Sequence, residues 1–259
     1  LLQLVNIYEE TEHDRVYRFK YSATVQENTN LSDNLDGETV GTGKGNFNIT
    51  GFDGDATGSI IDLSDSETSD RYDGFILSNV TTMVVSDITV QAGNNAFVVN
   101  NSDASLTLNN VIFDNNILAI GNYSGTVALN NVIVKAGVDD VKNDIYNASI
   151  MTITDSEINS VVTNNDKLTV TTTDSGNSSI SVVNNNAELT LGGSSLISKL
   201  YNNKSVNASS GNVIITNLYN GSLDEDNSNV EFNSTGETIT ISDANNYGVL
   251  KLASTSKNT

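Results

Sequence analysis

Cysteine, proline and tryptophan are absent from this 259-residue chain, and histidine occurs once, at His13. Without cysteine there is no disulfide scaffold, no thiolate zinc site and no cysteine nucleophile. A single histidine rules out a histidine-rich metal centre within the chain. In Glu12-His13-Asp14 it reads as a solvated residue rather than as the base of a serine-type triad. Basic residues are scarce too, with 12 Lys and Arg against 32 Asp and Glu, for a formal charge of -20. Polyanions are bound by displacing their counterions with Lys and Arg, so this balance argues against nucleic acid and against an anionic membrane surface. No apolar run reaches the length of a transmembrane helix. Leu1-Leu2-Gln3-Leu4-Val5 is too short for a signal peptide and lacks a basic flank; in an exported protein the signal would lie outside this chain.

The chain is rich in asparagine, with 39 residues, alongside many Ser, Thr, Gly and Asp. Hydrophobic residues make up 37% and charged residues only 17%, a composition that can bury a core rather than remain disordered. The apolar residues alternate in short runs bounded by turn formers, and no helical periodicity of useful length is present. The expectation is an all-β fold.

The strands repeat. Leu106-Thr107-Leu108-Asn109-Asn110-Val111-Ile112-Phe113 is nearly copied by Val127-Ala128-Leu129-Asn130-Asn131-Val132-Ile133-Val134. The first apolar residues of successive units fall at 83, 106, 127, 151, 168, 189, 206 and 230, a mean step of 21. A second marker keeps pace with the first: an Asn follows a mostly apolar strand at Asn100, Asn122, Asn147, Asn164, Asn184, Asn202 and Asn220. A unit of this length with strands and no helix excludes propeller blades of about 40 residues, and the leucine-rich pattern is missing. A parallel solenoid with one repeat per coil fits. Coils stacked at about 4.8 Å place like residues one above the next, so Asn110 and Asn131, and the series Asn100, Asn164, Asn184, Asn202 and Asn220, are expected to form hydrogen-bonded ladders. Proline would remove ladder donors, so its absence suits this architecture. About eight coils from residue 83 onward would span roughly 40 Å.

At these residues the sequence resembles the passenger domains of bacterial autotransporters and related surface adhesins built on a right-handed parallel β-helix. The Leu-Thr-Leu-Asn-Asn-Val-Ile-Phe unit carries the resemblance, with Ile145-Tyr146-Asn147, Glu188-Leu189-Thr190-Leu191-Gly192-Gly193 and Gly45-Asn46-Phe47-Asn48-Ile49-Thr50-Gly51. It covers roughly residues 40 to 252 and is specific for architecture, because pectin-lyase-like enzymes, phage tailspikes and archaeal adhesin-like proteins share similar coils. Residues 1–40 depart from the repeat and are expected to form an amino-terminal cap or first irregular coil, with the β-helix over 41–259, truncated at its carboxy end.

Candidate chemistry is sparse. Asp53-Gly54-Asp55-Ala56-Thr57-Gly58 resembles the opening of a calcium loop, although Ser64 stands where a bidentate Glu is required. Asp53, Asp55, Asp62 and Asp65 are weak calcium candidates; no cofactor is required. Catalytic residues are not assigned. The expected function is that of a non-enzymatic, extracellular adhesin, anchored to an outer membrane through a region outside this chain. Its partner would be a host or neighbouring-cell surface protein or glycan, with self-association between copies as one mode. A polysaccharide lyase or hydrolase, and a structural surface-layer component, are the alternatives. Insertions at Lys135 to Asn143 and Asp224 to Asn229 are candidate recognition loops. Sequons such as Asn79-Val80-Thr81, Asn122-Tyr123-Ser124 and Asn147-Ala148-Ser149 arise freely in so Asn- and Ser-rich a chain.

Overall fold

The computed structural model describes the strand backbone at residues 8–11, 14–19, 23–24 and 29–31, and then residues 46–252 apart from 52–53, 55, 65–70, 72, 78–81, 139–140, 175, 224–229 and 235–237; side chains are described from residue 48. Alternating apolar and polar residues between turn formers make strands, and the strands coil into a parallel β-solenoid of about seven turns, about 22 residues per turn. Among the described residues there is no helix.

Each coil lays one stretch on each of three parallel faces. The first face stacks residues 82–86, 105–109, 126–130, Ile150–Thr154, Lys167–Thr171, Glu188–Leu191, Ser205–Ala208, Glu231–Ser234 and Val249–Leu252. The second stacks Ile60–Asp62 beneath 89–91, 112–114 and Ile133–Val134 and continues through 157–158 to 239–241. The third runs from Phe75–Leu77 through 97–99 and 120–122 to 244–246. Within residues 1–40, Asp14–Phe19, Ala23–Thr24 and Thr29–Leu31 add one parallel strand each to the three faces, and Tyr8–Thr11 pairs antiparallel to Asp14–Phe19.

Every second residue points inward, so the core is a set of columns. Met83, Leu106, Val127, Met151, Leu168, Leu189, Val206 and Phe232 form one of them, all fully buried. Aromatic bulk gathers in the earlier coils, where Phe75 stacks on Phe97 at 5.2 Å and Phe97 meets Phe113 edge to face at 5.9 Å. The repeat begun at position 230 is displaced: Val206 pairs with Phe232, not Val230, and Phe232 in turn with Leu250. Chain inserted between Asn220 and Glu231 accounts for the slip.

The corner between the first and second faces turns through left-handed backbone in coil after coil, at Asp87, Asn110, Asn131 and Asp155 with φ of 49–58°, then at Gly193 and Gly211. Asp and Asn tolerate this region; a bulkier residue would not. At Gly211 a Cβ would also sit 2.5 Å from the Gly193 carbonyl oxygen. From 157 onward the second and third faces are covered by single strands, Glu157–Asn164, Ser178–Asn185, Ser195–Asn202, Asn212–Asn220 and Thr238–Asn246, which shortens the minimal coil to 17 residues, as between Ile150 and Lys167.

Phe97→Ala empties the meeting point of three aromatic rings and is expected to cost about 3–5 kcal/mol. Tyr201→Ala, on the outer surface, should cost about 1 kcal/mol or less. Denaturant midpoints by circular dichroism read the difference.

Candidate functional site

The most ordered polar feature lies where the third face turns into the first. Asn122 Nδ2 donates to Asn147 Oδ1 (2.8 Å), Asn147 to Asn164 (2.8 Å), Asn164 to Asn185 (2.8 Å), Asn185 to Asn202 (2.8 Å), Asn202 to Asn220 (2.7 Å) and Asn220 to Asn246 (2.6 Å). Asn122 through Asn220 are completely buried. Each amide also closes backbone: Asn164 Nδ2 reaches its own turn at Asp166 O (3.2 Å) and the next coil at Glu188 O (3.0 Å). The column therefore gives carbonyls at the sharpest bend of the coil a side-chain donor, in the case of Asp166 O beside the backbone N–H of Glu188 at 2.9 Å.

Two expected members of this ladder are corrected. Asn185, not Asn184, occupies the column, because the inward position falls two residues after the buried Val183; Asn184 faces outward and pairs in register with Tyr201. Asn100 is exposed, and Val99 stands on the rung beneath Asn122. Asn122 Oδ1 consequently has no donor and is the one open end of the buried column. Asn164, Asn202 and Asn220 sit in it, and Asn246 extends it beyond the expected series.

Asn110 and Asn131 form a second, exposed ladder on the left-handed corner. Asn131 Nδ2 donates to Asn110 Oδ1 at 3.2 Å, and Asn110 Nδ2 to Asp87 Oδ1 at 2.7 Å. Further columns were not singled out from the sequence. Asn203 donates to Asn186 and Asn186 to Asn165, each at 2.8 Å, on the solvent side of the tight turn. Asn143, buried at the end of the 135–143 insertion, accepts from Asn116 Nδ2 (3.1 Å) and donates to Phe113 O (3.1 Å) and Lys135 O (2.9 Å), pinning the base of that loop. The signal for the main column is a buried apolar residue, any residue, then Asn: Ile145-Tyr146-Asn147, Val162-Thr163-Asn164, Val183-Asn184-Asn185, Leu200-Tyr201-Asn202 and Leu218-Tyr219-Asn220.

Of the calcium candidates, Asp53, Asp55 and Asp65 lie outside the described residues, as do 224–229 and the side chain of His13. Asp62 is engaged within its own turn, accepting from Ser64 N (2.9 Å) and Oγ (2.7 Å) through Oδ1 and from Gln91 Nε2 (3.0 Å) through Oδ2. Tyr201 and Tyr219 stack at 4.7 Å and 11° on the outside of the third face, and Tyr123 tilts against Tyr146 at 5.2 Å.

Charge is distributed unevenly over this frame. Outward positions of the first face from Thr82 to Thr154 carry Thr, Ser and Asn with Val84, Ala128 and Ile150, and no charged side chain. They bond along the stack, Ser105 Oγ to Thr82 Oγ1 (3.2 Å) and Asn130 Nδ2 to Asn109 Oδ1 (2.9 Å). Acidic groups stand at corners instead, Asp87 and Asp155 on one and Asp103 and Asp166 on another. Beyond Thr154, charged side chains stand on the first face at Lys167 and Glu188 (3.6 Å) and at Glu231 and Lys251 (3.2 Å). At the base of the insertion, burial raises the Asp144 carboxyl above its ordinary value, opposed by the Val161 N–H, which donates to it at 3.1 Å, and by Lys142.

Compared with known proteins, the chain matches no family model, no curated protein and no solved structure. Function therefore has to be argued from the surface itself.

Asn164→Ala leaves Asn185 Oδ1 buried without its donor and removes one of the acceptors of the Asn147 amide. It is expected to destabilise by about 2–4 kcal/mol, whereas Asn184→Ala should stay within about 0.5 kcal/mol; urea midpoints test both. For Asp144 the folded carboxyl holds its proton more tightly than the unfolded chain does. Its favourable contribution is thus present below the ordinary carboxylate value and is lost as pH rises through the raised one. Asp144→Asn keeps an acceptor for Val161 and removes this loss, so its urea midpoint relative to the parent should be higher at neutral pH than near about pH 4.

Proposed function

We propose that this chain is a non-enzymatic attachment module displayed outside the cell, an adhesin or autotransporter-type passenger segment that contacts a surface protein or glycan of a neighbouring or host cell. The observation that carries the reading is the uncharged outer surface of the first face from Thr82 to Thr154, on a chain of net charge -20. Like charges within a Debye length, about 8–10 Å at ordinary salt, oppose close approach of such a protein to another acidic surface. Contact through this face sets no outward carboxylate of its four rungs against the partner. Its hydroxyls and amides offer both donors and acceptors, as a polyhydroxylated or amide-rich partner, or a second copy of the chain, would require. The stack already holds these groups in fixed rows, so little side-chain freedom remains to be lost on contact.

Beads coated with the chain should attach to cells and to one another, more so with added calcium, which screens the acidic corners. Thr107→Asp with Thr152→Asp, two outward substitutions on separate rungs, should reduce attachment several-fold while the strand signal in circular dichroism is kept. Attachment unaffected by both the double substitution and calcium would overturn the proposal.

A further inference from the structure

Six of the Asn-x-Ser sequons fall into two chemically distinct sets; Asn203-Lys204-Ser205 belongs to neither, being exposed but with its Nδ2 donated to Asn186 Oδ1 at 2.8 Å. Asn122, Asn147 and Asn220 each begin such a sequon, and each is fully buried with Nδ2 committed to the neighbouring rung and to a backbone carbonyl: Asn147 and Ile150 O, Asn164 and Lys167 O, Asn246 and Val249 O. Their amide nitrogens have no free face. Asn100-Asn101-Ser102, Asn177-Ser178-Ser179 and Asn207-Ala208-Ser209 are the reverse case. Asn100, Asn177 and Asn207 are exposed, and among the described residues their side-chain amides make no hydrogen bond. Each lies at a different place on the coil: Asn100 where the chain leaves the third face, Asn177 just ahead of Ser178–Asn185, and Asn207 outward on the first face within Ser205–Ala208.

We infer that Asn100, Asn177 and Asn207 are N-glycosylation sites, with a lipid-pyrophosphate-linked oligosaccharide as the glycosyl donor. In the transfer, Nδ2 forms a bond to the anomeric carbon of the first sugar and loses a proton to the transferase. The bond from that carbon to the pyrophosphate oxygen breaks, and the lipid pyrophosphate leaves with the electron pair. A glycan on Asn122, Asn147 or Asn220 would destroy the buried column, so folding must precede the transfer or those three must escape it. The inference rests on the proposal that the chain is exported, since the donor is a membrane lipid on the export route.

The test is made in solution, where the chain's location in the cell has no bearing. The folded full-length chain and six short synthetic peptides, one per sequon, are incubated with a purified oligosaccharyltransferase and its lipid-linked donor, and the modified residues are mapped by mass spectrometry. Glycan is expected at Asn100, Asn177 and Asn207 of the folded chain and not at Asn122, Asn147 or Asn220, while the ladder peptides accept it. The triple substitution of Asn100, Asn177 and Asn207 by Gln should leave the folded chain without glycan at these six positions. A folded chain unmodified at all three exposed positions, or modified at any ladder position, overturns the inference. Because location plays no part in this assay, glycosylation in solution by a chain later found inside the cell would refute the export proposal alone.

Discussion

Superposition is the constraint on which everything else depends. Parallel strands stacked at one rung spacing place each residue directly over its counterpart in the coil below, so a choice made at one position has to be acceptable many times over. Apolar side chains meet this requirement without direction. A buried amide meets it only if the rung on each side supplies a partner, and Asn does so because one side chain carries both a donor and an acceptor at the same reach. Asn147, Asn164, Asn185 and Asn202 each use both. The tight turn they line would otherwise leave carbonyls such as Lys167 O and Glu188 O without a side-chain donor from the turn. The asparagine excess is in large part the chemical cost of turning so sharply and so often.

The same constraint governs charge. Superposed carboxylates would repel rung by rung; from Thr82 to Thr154 the structure keeps them off the regular stretches of the first face, and beyond that they are interleaved with lysine, as at Lys167 and Glu188 or Glu231 and Lys251. At the left-handed corner, Asp87 sits beneath Asn110, whose amide donates to it, rather than beneath another acid. A strongly acidic chain thus builds a face with no charge across four rungs, from Thr82 to Thr154.

Much of this was legible in the sequence because superposition writes itself as periodicity. The all-β class, the parallel stack and the step of about one coil per 21 residues follow from the repeated apolar pairs, and the ladder of Asn110 and Asn131 from the repeated Leu-Asn-Asn. What was missed turns on single-residue offsets. In Val183-Asn184-Asn185-Asn186 three identical residues follow one apolar anchor, and only the alternation of a strand tells which of them points inward. At Val98-Val99-Asn100 the Asn is present but one place late, so an apolar residue fills the rung. Val230 lies in an insertion that carries its own apolar residue just ahead of the true anchor, Phe232. The pairing of Asn116 with Asn143 spans 27 residues and a loop, and no local pattern announces it. Function was the least legible of all, because a solenoid recognises partners with residues that vary freely on its outside.

The buried column also has a direction. Every hydrogen bond from one asparagine to the next runs toward the later coil, from Asn122 to Asn246, and none runs back. The two ends of the column are therefore chemically unlike, with an unanswered acceptor at Asn122 and an amide donor at Asn246.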